Sequence, residues 1–119
     1  MAIRRGEIYS TDLIDKNTKG AEIGKIRPAL VVQADIWNDQ LPSTVVVPLT
    51  TKNFSYLSAG TVAFHEGEFG LTADSTTLVD QIRSIDKSRL KKKIGVVSDP
   101  KMQAVDKALS LTLGLESID

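Results

Sequence analysis

Residues 22–33 read Glu22-Ile23-Gly24-Lys25-Ile26-Arg27-Pro28-Ala29-Leu30-Val31-Val32-Gln33. A glycine-containing loop, 22–25, runs into Arg27-Pro28. Ala29 to Val32 then form a continuous apolar run, the pattern of a well-buried strand. Pro28 fixes its own φ and pushes Arg27 towards an extended backbone. The guanidinium is thereby held where loop becomes strand, beside a loop that can approach a ligand closely. Arginine stays charged at any relevant pH and presents a planar fork suited to phosphate. On this motif alone the simpler reading is preferred: Arg27 pairs with Glu22 and starts a strand.

A second stretch changes that balance. Thr44-Val45-Val46-Val47-Pro48-Leu49-Thr50-Thr51 is another strand signal and ends in two hydroxyl residues. If strands 27–33 and 44–50 pair antiparallel with their symmetric ends matched, Gln33 faces Thr44 and Arg27 faces Thr50. Directly opposed residues share a face of the sheet. A one-residue slip would separate them onto opposite faces. Pro48 cannot donate to the ladder and is expected at an edge or a bulge. In the matched register a fixed cation and a hydroxyl stand side by side at the open end of the pair. Thr50 taken alone would be a turn or cap residue.

Four blocks now stand in order: Arg5-Gly6-Glu7-Ile8-Tyr9; Gly24-Lys25-Ile26-Arg27-Pro28-Ala29-Leu30-Val31-Val32; Val47-Pro48-Leu49-Thr50-Thr51; and Asp80-Gln81-Ile82-Arg83-Ser84-Ile85-Asp86-Lys87. They resemble the successive blocks of the MazF/PemK family, toxins of toxin–antitoxin pairs that cut RNA. Each block alone is weak; four in sequence are specific. The resemblance implies an SH3-like barrel with added helices, acting as a homodimer. It places the family's catalytic arginine and threonine on Arg27 and Thr50. It also implies a metal-independent, sequence-specific endoribonuclease of single-stranded RNA, without a cofactor and neutralised by a cognate antitoxin. Glu22, Gly24, Lys25, Thr51, Asp80, Gln81 and Arg83 are the further candidates for RNA contact, with Glu22 also the candidate general base.

Composition sets limits on the chemistry. A chain of 119 residues with 41% hydrophobic content fits one globular domain, 1–119. Zero cysteines exclude disulfides, thiolate metal sites and cysteine nucleophiles, and one histidine excludes two-histidine metal motifs. Net charge is zero, so nucleic-acid binding must use a local patch. Neither a membrane-length apolar run nor a signal peptide is present, and the expected location is the cytoplasm.

The remaining chain supports an α+β fold, a small, bent antiparallel barrel closed by a C-terminal helix. Residues 7–13 read as the first strand. Ala34 to Gln40 reads as one helical turn with Asp35 as its cap, and Trp37 there as packing or dimer interface. Phe54 and Tyr56 in the loop 51–60 either stack on unpaired bases or plug the barrel end. In Thr61–Glu66, Val62 and Phe64 take one face and His65 the other, as a surface residue first and a catalytic one second. Residues 76–79 read as a further strand. Asp80 and Gln81 offer groups that can read base edges, or else barrel hydrogen bonds and a salt bridge to Arg83. From Arg83 to Lys93 six residues are basic and one acidic, a phosphate track or a solvated surface. Ser98-Asp99-Pro100 starts a helix whose stripe is Met102, Val105, Leu109 and Leu113, and Gly114 ends it.

Two other functions fit a chain of this architecture. One is a gyrase-binding toxin of the CcdB type, which is expected to carry a Trp-Gly-Ile tail where this sequence has Leu115-Glu116-Ser117-Ile118-Asp119. The other is a non-catalytic SH3-like binding module.

Overall fold

Strand pairing in this chain converges on one element, β3, whose apolar core residues demand neighbours on both edges. A computed structural model describes residues 2–13, 26–52 and 61–117. The elements are β1 (Glu7–Asp12), β2 (Ile26–Val31), α1 (Asp35–Asn38), β3 (Ser43–Thr50), β4 (Ala63–Phe64), β5 (Ser75–Thr77), β6 (Arg83–Asp86), β7 (Leu90–Val96) and α2 (Asp99–Thr112). The sheet order is β4-β5-β3-β2-β1-β7, with β6 also pairing β3. Every pairing is antiparallel.

The register between β2 and β3 is the one the sequence suggests. Ala29 pairs Pro48, Leu30 pairs Val47 and Val31 pairs Val46. Val32 N–H donates to the Val45 carbonyl at 3.0 Å and continues the pairing by one step. β2 itself ends at Val31, because Gln33 turns to side-chain bonding. Its Nε2 donates to Asn38 Oδ1 at 2.9 Å and to the Ser43 carbonyl at 3.1 Å. Thr44 donates to the same Asn38 oxygen at 2.7 Å. Asn38 thus ties the two ends of the β2–β3 connection, and it is buried.

Alternation gives the sheet two apolar faces. On one, Tyr9, Leu13, Ala29, Val31, Val46, Ile85 and Leu90 form the barrel core. β7, β1, β2, β3 and β6 wrap around it, and a 3₁₀ turn over Lys87–Arg89 carries the chain from β6 into β7. On the other, Ile8, Leu30, Val47, Leu49 and Phe64 pack with Met102, Val105 and Ala108 of α2. Phe64 also meets Phe69 edge to face, with centroids 5.2 Å apart.

Several local expectations change. Asp35 is not the cap of α1 but its first residue; Ala34 is the cap, and the Asp35 carboxylate instead accepts the Arg5 N–H at 2.7 Å. Trp37 is half exposed. Pro48 lies inside β3 and is buried, where an edge was expected. Its missing N–H costs no bond there, because β3 changes partner from β6 to β5 alongside it. Its carbonyl accepts Leu78 N–H at 2.9 Å. The strand expected over 76–79 is Ser75–Thr77, followed by a 3₁₀ turn over Val79–Gln81. The α2 stripe holds at Met102, Val105 and Leu109 and is joined by Ala108, but Leu113 lies beyond the helix and is exposed.

The far end of the barrel is closed by a polar cluster. Glu7 Oε1 accepts the Arg4 N–H at 2.7 Å and the Tyr9 hydroxyl at 2.9 Å, and Lys93 Nζ lies 2.7 Å from Oε2. Burial pushes the Glu7 carboxyl up, but Lys93, the Arg4 N–H and Tyr9 together outweigh it and hold the group below its ordinary value. Burial first, and Glu7 second, push the Tyr9 hydroxyl up to about 12.

Two predictions follow from this packing. A Cβ on Gly95 would lie 2.0 Å from the Phe69 carbonyl oxygen, and one on Gly70 2.2 Å from that of Ile94. Since both obstacles are backbone, Gly95→Ala should cost about 3 kcal/mol, read as a lowered urea midpoint with an unchanged slope. Glu7 has a depressed folded pKa. Its stabilisation is therefore complete above its ordinary value of 4.5 and is lost as pH falls through the lower folded value. The stability difference between wild type and Glu7→Gln, followed by denaturant unfolding across that acid range, should shrink as pH falls.

Candidate functional site

The open end of the barrel gathers the last residues of β1, the first of β2, the last of β3 and the first of β6. Thr11 of β1 pairs Arg27 of β2. The β2–β3 pairing ends at Ala29 and Pro48; carried two residues further, its register sets Arg27 opposite Thr50. Both lie on the barrel face, since each is two residues from a partner in that ladder. Beyond Pro48, β3 turns to β5, and Thr50 pairs Thr76.

Arg27 is half-buried, and its Nε is fully buried without a hydrogen-bond partner among the described residues. The adjacent Thr11 hydroxyl donates to the Tyr9 carbonyl at 2.8 Å. A buried donor left unpaired costs about 1–3 kcal/mol. Thr50 is buried, and its Oγ1 accepts the Lys52 N–H at 3.2 Å. That bond uses a lone pair, so the hydroxyl proton is still available to an acceptor. A planar cationic donor and a hydroxyl donor on one face form a ready binding site for an oxyanion.

The other sequence candidates are spread around this mouth. Arg83 begins β6 opposite Val46, and its Nη1 donates to the Leu13 carbonyl at 3.2 Å. It therefore braces the end of β1. Asp80 and Gln81 lie in the 3₁₀ turn, whose preceding residue bonds Pro48; Asp80 is exposed and Gln81 half-buried. Thr51 is exposed and follows the end of β3, lining a cavity of about 310 Å³ with Pro28, Leu71, Ser75 and Ile94. Glu22, Gly24 and Lys25, together with Phe54 and Tyr56, lie outside the described residues.

The basic stretch 83–93 is largely engaged within the fold. Lys87 Nζ donates to the Asn38 carbonyl, Arg89 lies 3.8 Å from Asp12, and Lys93 is paired with Glu7. Lys91 donates to the Ser88 carbonyl at 3.2 Å. Sequence reasoning missed Ser75 and Thr76, which join the neighbourhood of Thr50 only through the short β3–β5 ladder. No periodic pattern announces a ladder of that length. Among the described residues no three of histidine, cysteine, aspartate and glutamate converge as metal ligands. No helix of these residues is long and apolar enough to cross a membrane.

Comparison with known proteins places the chain in a family. The model of a family described as the PemK-like, MazF-like toxin of type II toxin–antitoxin systems matches residues 4–113. The Endoribonuclease MazF of Staphylococcus saprophyticus is 36% identical over 116 residues, which cover 98% of this chain and 95% of that protein. A mycobacterial endoribonuclease solved in complex with its cognate antitoxin superposes with a TM-score of 0.77 at 26% identity, covering 98% of this chain and 99% of that one. MazF from Deinococcus radiodurans shares the fold, with a TM-score of 0.76 at 23% identity over 96% of this chain and 98% of that one. With the family model spanning nearly every residue and a relative above one-third identity end to end, the chain belongs to the PemK/MazF family of type II toxins.

Proposed function

We propose that this protein is a sequence-specific endoribonuclease of single-stranded RNA, a toxin restrained by a cognate antitoxin, with Arg27 and Thr50 carrying the chemistry. Family membership and the endoribonuclease relatives support the activity. The observation that supports the residue assignment is the buried Nε of Arg27, without a hydrogen-bond partner among the described residues and on the same sheet face as Thr50. A fold that strands a cationic donor in this way leaves it for a ligand.

Single strands are the substrate because only unstacked bases expose their edges to a protein. The nucleophile is the RNA's own 2′-hydroxyl, already beside the scissile phosphorus. Its intramolecular position removes most of the entropic cost of attack. The 2′-oxygen bonds to phosphorus as its proton departs, the bond from phosphorus to the 5′-oxygen breaks, and that oxygen gains a proton. The products are a 2′,3′-cyclic phosphate and a 5′-hydroxyl. This route needs no metal. Arg27 offsets the charge that builds on the phosphorane oxygens and supports protonation of the leaving oxygen. Thr50 donates its hydroxyl to a phosphate oxygen. Glu22 is the candidate base. Glu22, Gly24, Lys25, Thr51, Asp80, Gln81 and Arg83 contact the RNA around the cut.

Arg27→Ala should lower the cleavage rate on the order of a hundredfold or more, as loss of one preorganised donor does elsewhere. Arg27→Lys should rescue poorly, because an ammonium lacks the planar fork. Thr50→Ser should retain more activity than Thr50→Ala. An oligonucleotide with one 2′-deoxyribose on the 5′ side of the cut should bind and resist cleavage. Efficient cutting of it, or 5′-phosphate ends on the products, would refute the mechanism.

The working form is a cytoplasmic homodimer, which light scattering at micromolar concentration should report as twice the chain mass. The antitoxin presents a disordered, acidic segment that folds over Arg27 and the basic strands β6 and β7. RNA and antitoxin should then compete in a fluorescence binding assay; simultaneous binding with both affinities intact would exclude that placement.

A further inference from the structure

A second concavity, of about 260 Å³, opens beside Thr50 and is lined by Thr51, Lys52, His65, Asp74, Ser75 and Thr76 among others. Strand alternation sets its orientation. Phe64 points into the core shared with α2, so Ala63 takes the opposite face, and His65 follows directly after the strand. Ala63 pairs Thr76, and Thr76 pairs Thr50. Ala63 and Thr76 therefore share the sheet face of Thr50, and His65 lines the concavity at the end of that row.

The groups here suit a nucleotide. Neither the Lys52 ammonium nor the His65 imidazole has a hydrogen-bond or ion-pair partner among the described residues. Asp74 is held in place, with Oδ1 accepting the Glu66 N–H at 2.7 Å. Glu68 is turned to the His65 backbone, where it accepts that N–H at 2.7 Å. The concavity thus offers two cationic or donor heads for a phosphate, a fixed carboxylate for an exocyclic amino group, and hydroxyls for either. Ala63 is two strand spacings from Thr50, about 10 Å, and His65 lies further along. That separation is too great for His65 to take the proton of the attacking hydroxyl, but suits a neighbouring nucleotide of the same strand.

We propose that Lys52, His65, Asp74 and Thr76 form a subsite for a nucleotide flanking the cut, which positions the RNA and adds sequence preference. This rests on the ribonuclease reading above. Lys52 and His65 hold the backbone phosphate, and Asp74 selects a base that carries an exocyclic amino group.

The test uses the full-length protein and an RNA oligonucleotide that it cuts once, together with versions shortened nucleotide by nucleotide from each end. The Lys52→Ala/His65→Ala double variant should raise KM about tenfold on the full substrate, as loss of charged hydrogen bonds would, while kcat is largely retained. Its difference from wild type should close once truncation from one end removes the flanking nucleotide. Asp74→Asn should change the preference between flanking bases with and without an exocyclic amino group. An unchanged KM on the full substrate would overturn the subsite. So would a defect that persists on the shortest substrate still cut, which marks a role in chemistry or folding. Wild type that cuts no RNA would instead remove the ribonuclease reading, and the subsite with it.

Discussion

Strand β3 has eight residues and three partners, and the rest of the molecule depends on that bargain being met. Its first half pairs β6 on one edge, its middle pairs β2 on the other, and its last two residues pair β5. A strand shared in this way has little freedom to slip. Moving β2 by one residue along β3 would turn Ala29 and Val31 out of the barrel core and place Arg27 on the wrong face for Thr50. The core and the candidate site therefore rest on the same register. The Gln33–Asn38–Thr44 bonds reinforce it from the closed end of the connection, where they fix how the chain leaves β2 and enters β3.

What could be read in the sequence was whatever repeats or punctuates. The apolar run 29–32, the valines of β3, the helix opening at Ser98-Asp99-Pro100 and the closing Gly114 carry periodic or steric signals, and these elements stand where those signals place them. Asn38 carried no such signal, because its value lies in three partners, Gln33, Asp35 and Thr44, that only the folded connection brings together. Pro48 misled for a physical reason. Proline is excluded from a ladder that needs its N–H, and the sequence does not show that β3 changes partner there. Leu113 fitted the helical stripe, but α2 ends at Thr112 and leaves Leu113 exposed as its cap. At the site, Arg27 and Thr50 were legible through register, whereas Thr76 and His65 enter through ladders two residues long.

Charge shows the same distinction between composition and placement. The segment 83–93 is the most basic in the chain, yet its cations mostly bond carbonyls and carboxylates of this fold. Exposed ion pairs add little stability individually, but they fix where side chains lie. A protein with no net charge cannot attract RNA through its overall field. Its hold on a phosphate must come from a few donors at short range, which makes their geometry decisive.

The two ends of the barrel solve opposite problems with similar groups. At one end Glu7 is buried, but its carboxylate receives a backbone N–H, a phenol and an ammonium, so burial is compensated within the chain. At the other, Arg27 also sends a polar atom inward, and the described residues supply its Nε with no partner. Stability alone would favour an apolar residue at position 27, or an acceptor within reach of its Nε. A donor held unsatisfied costs the free protein stability, but it needs no rearrangement when an anion arrives. Such preorganisation is what makes a hydrogen-bond donor effective in a transition state, because the reorganisation has already occurred during folding. The closed end supplies rigidity through satisfied bonds, and the open end uses that rigidity to keep one bond unmade.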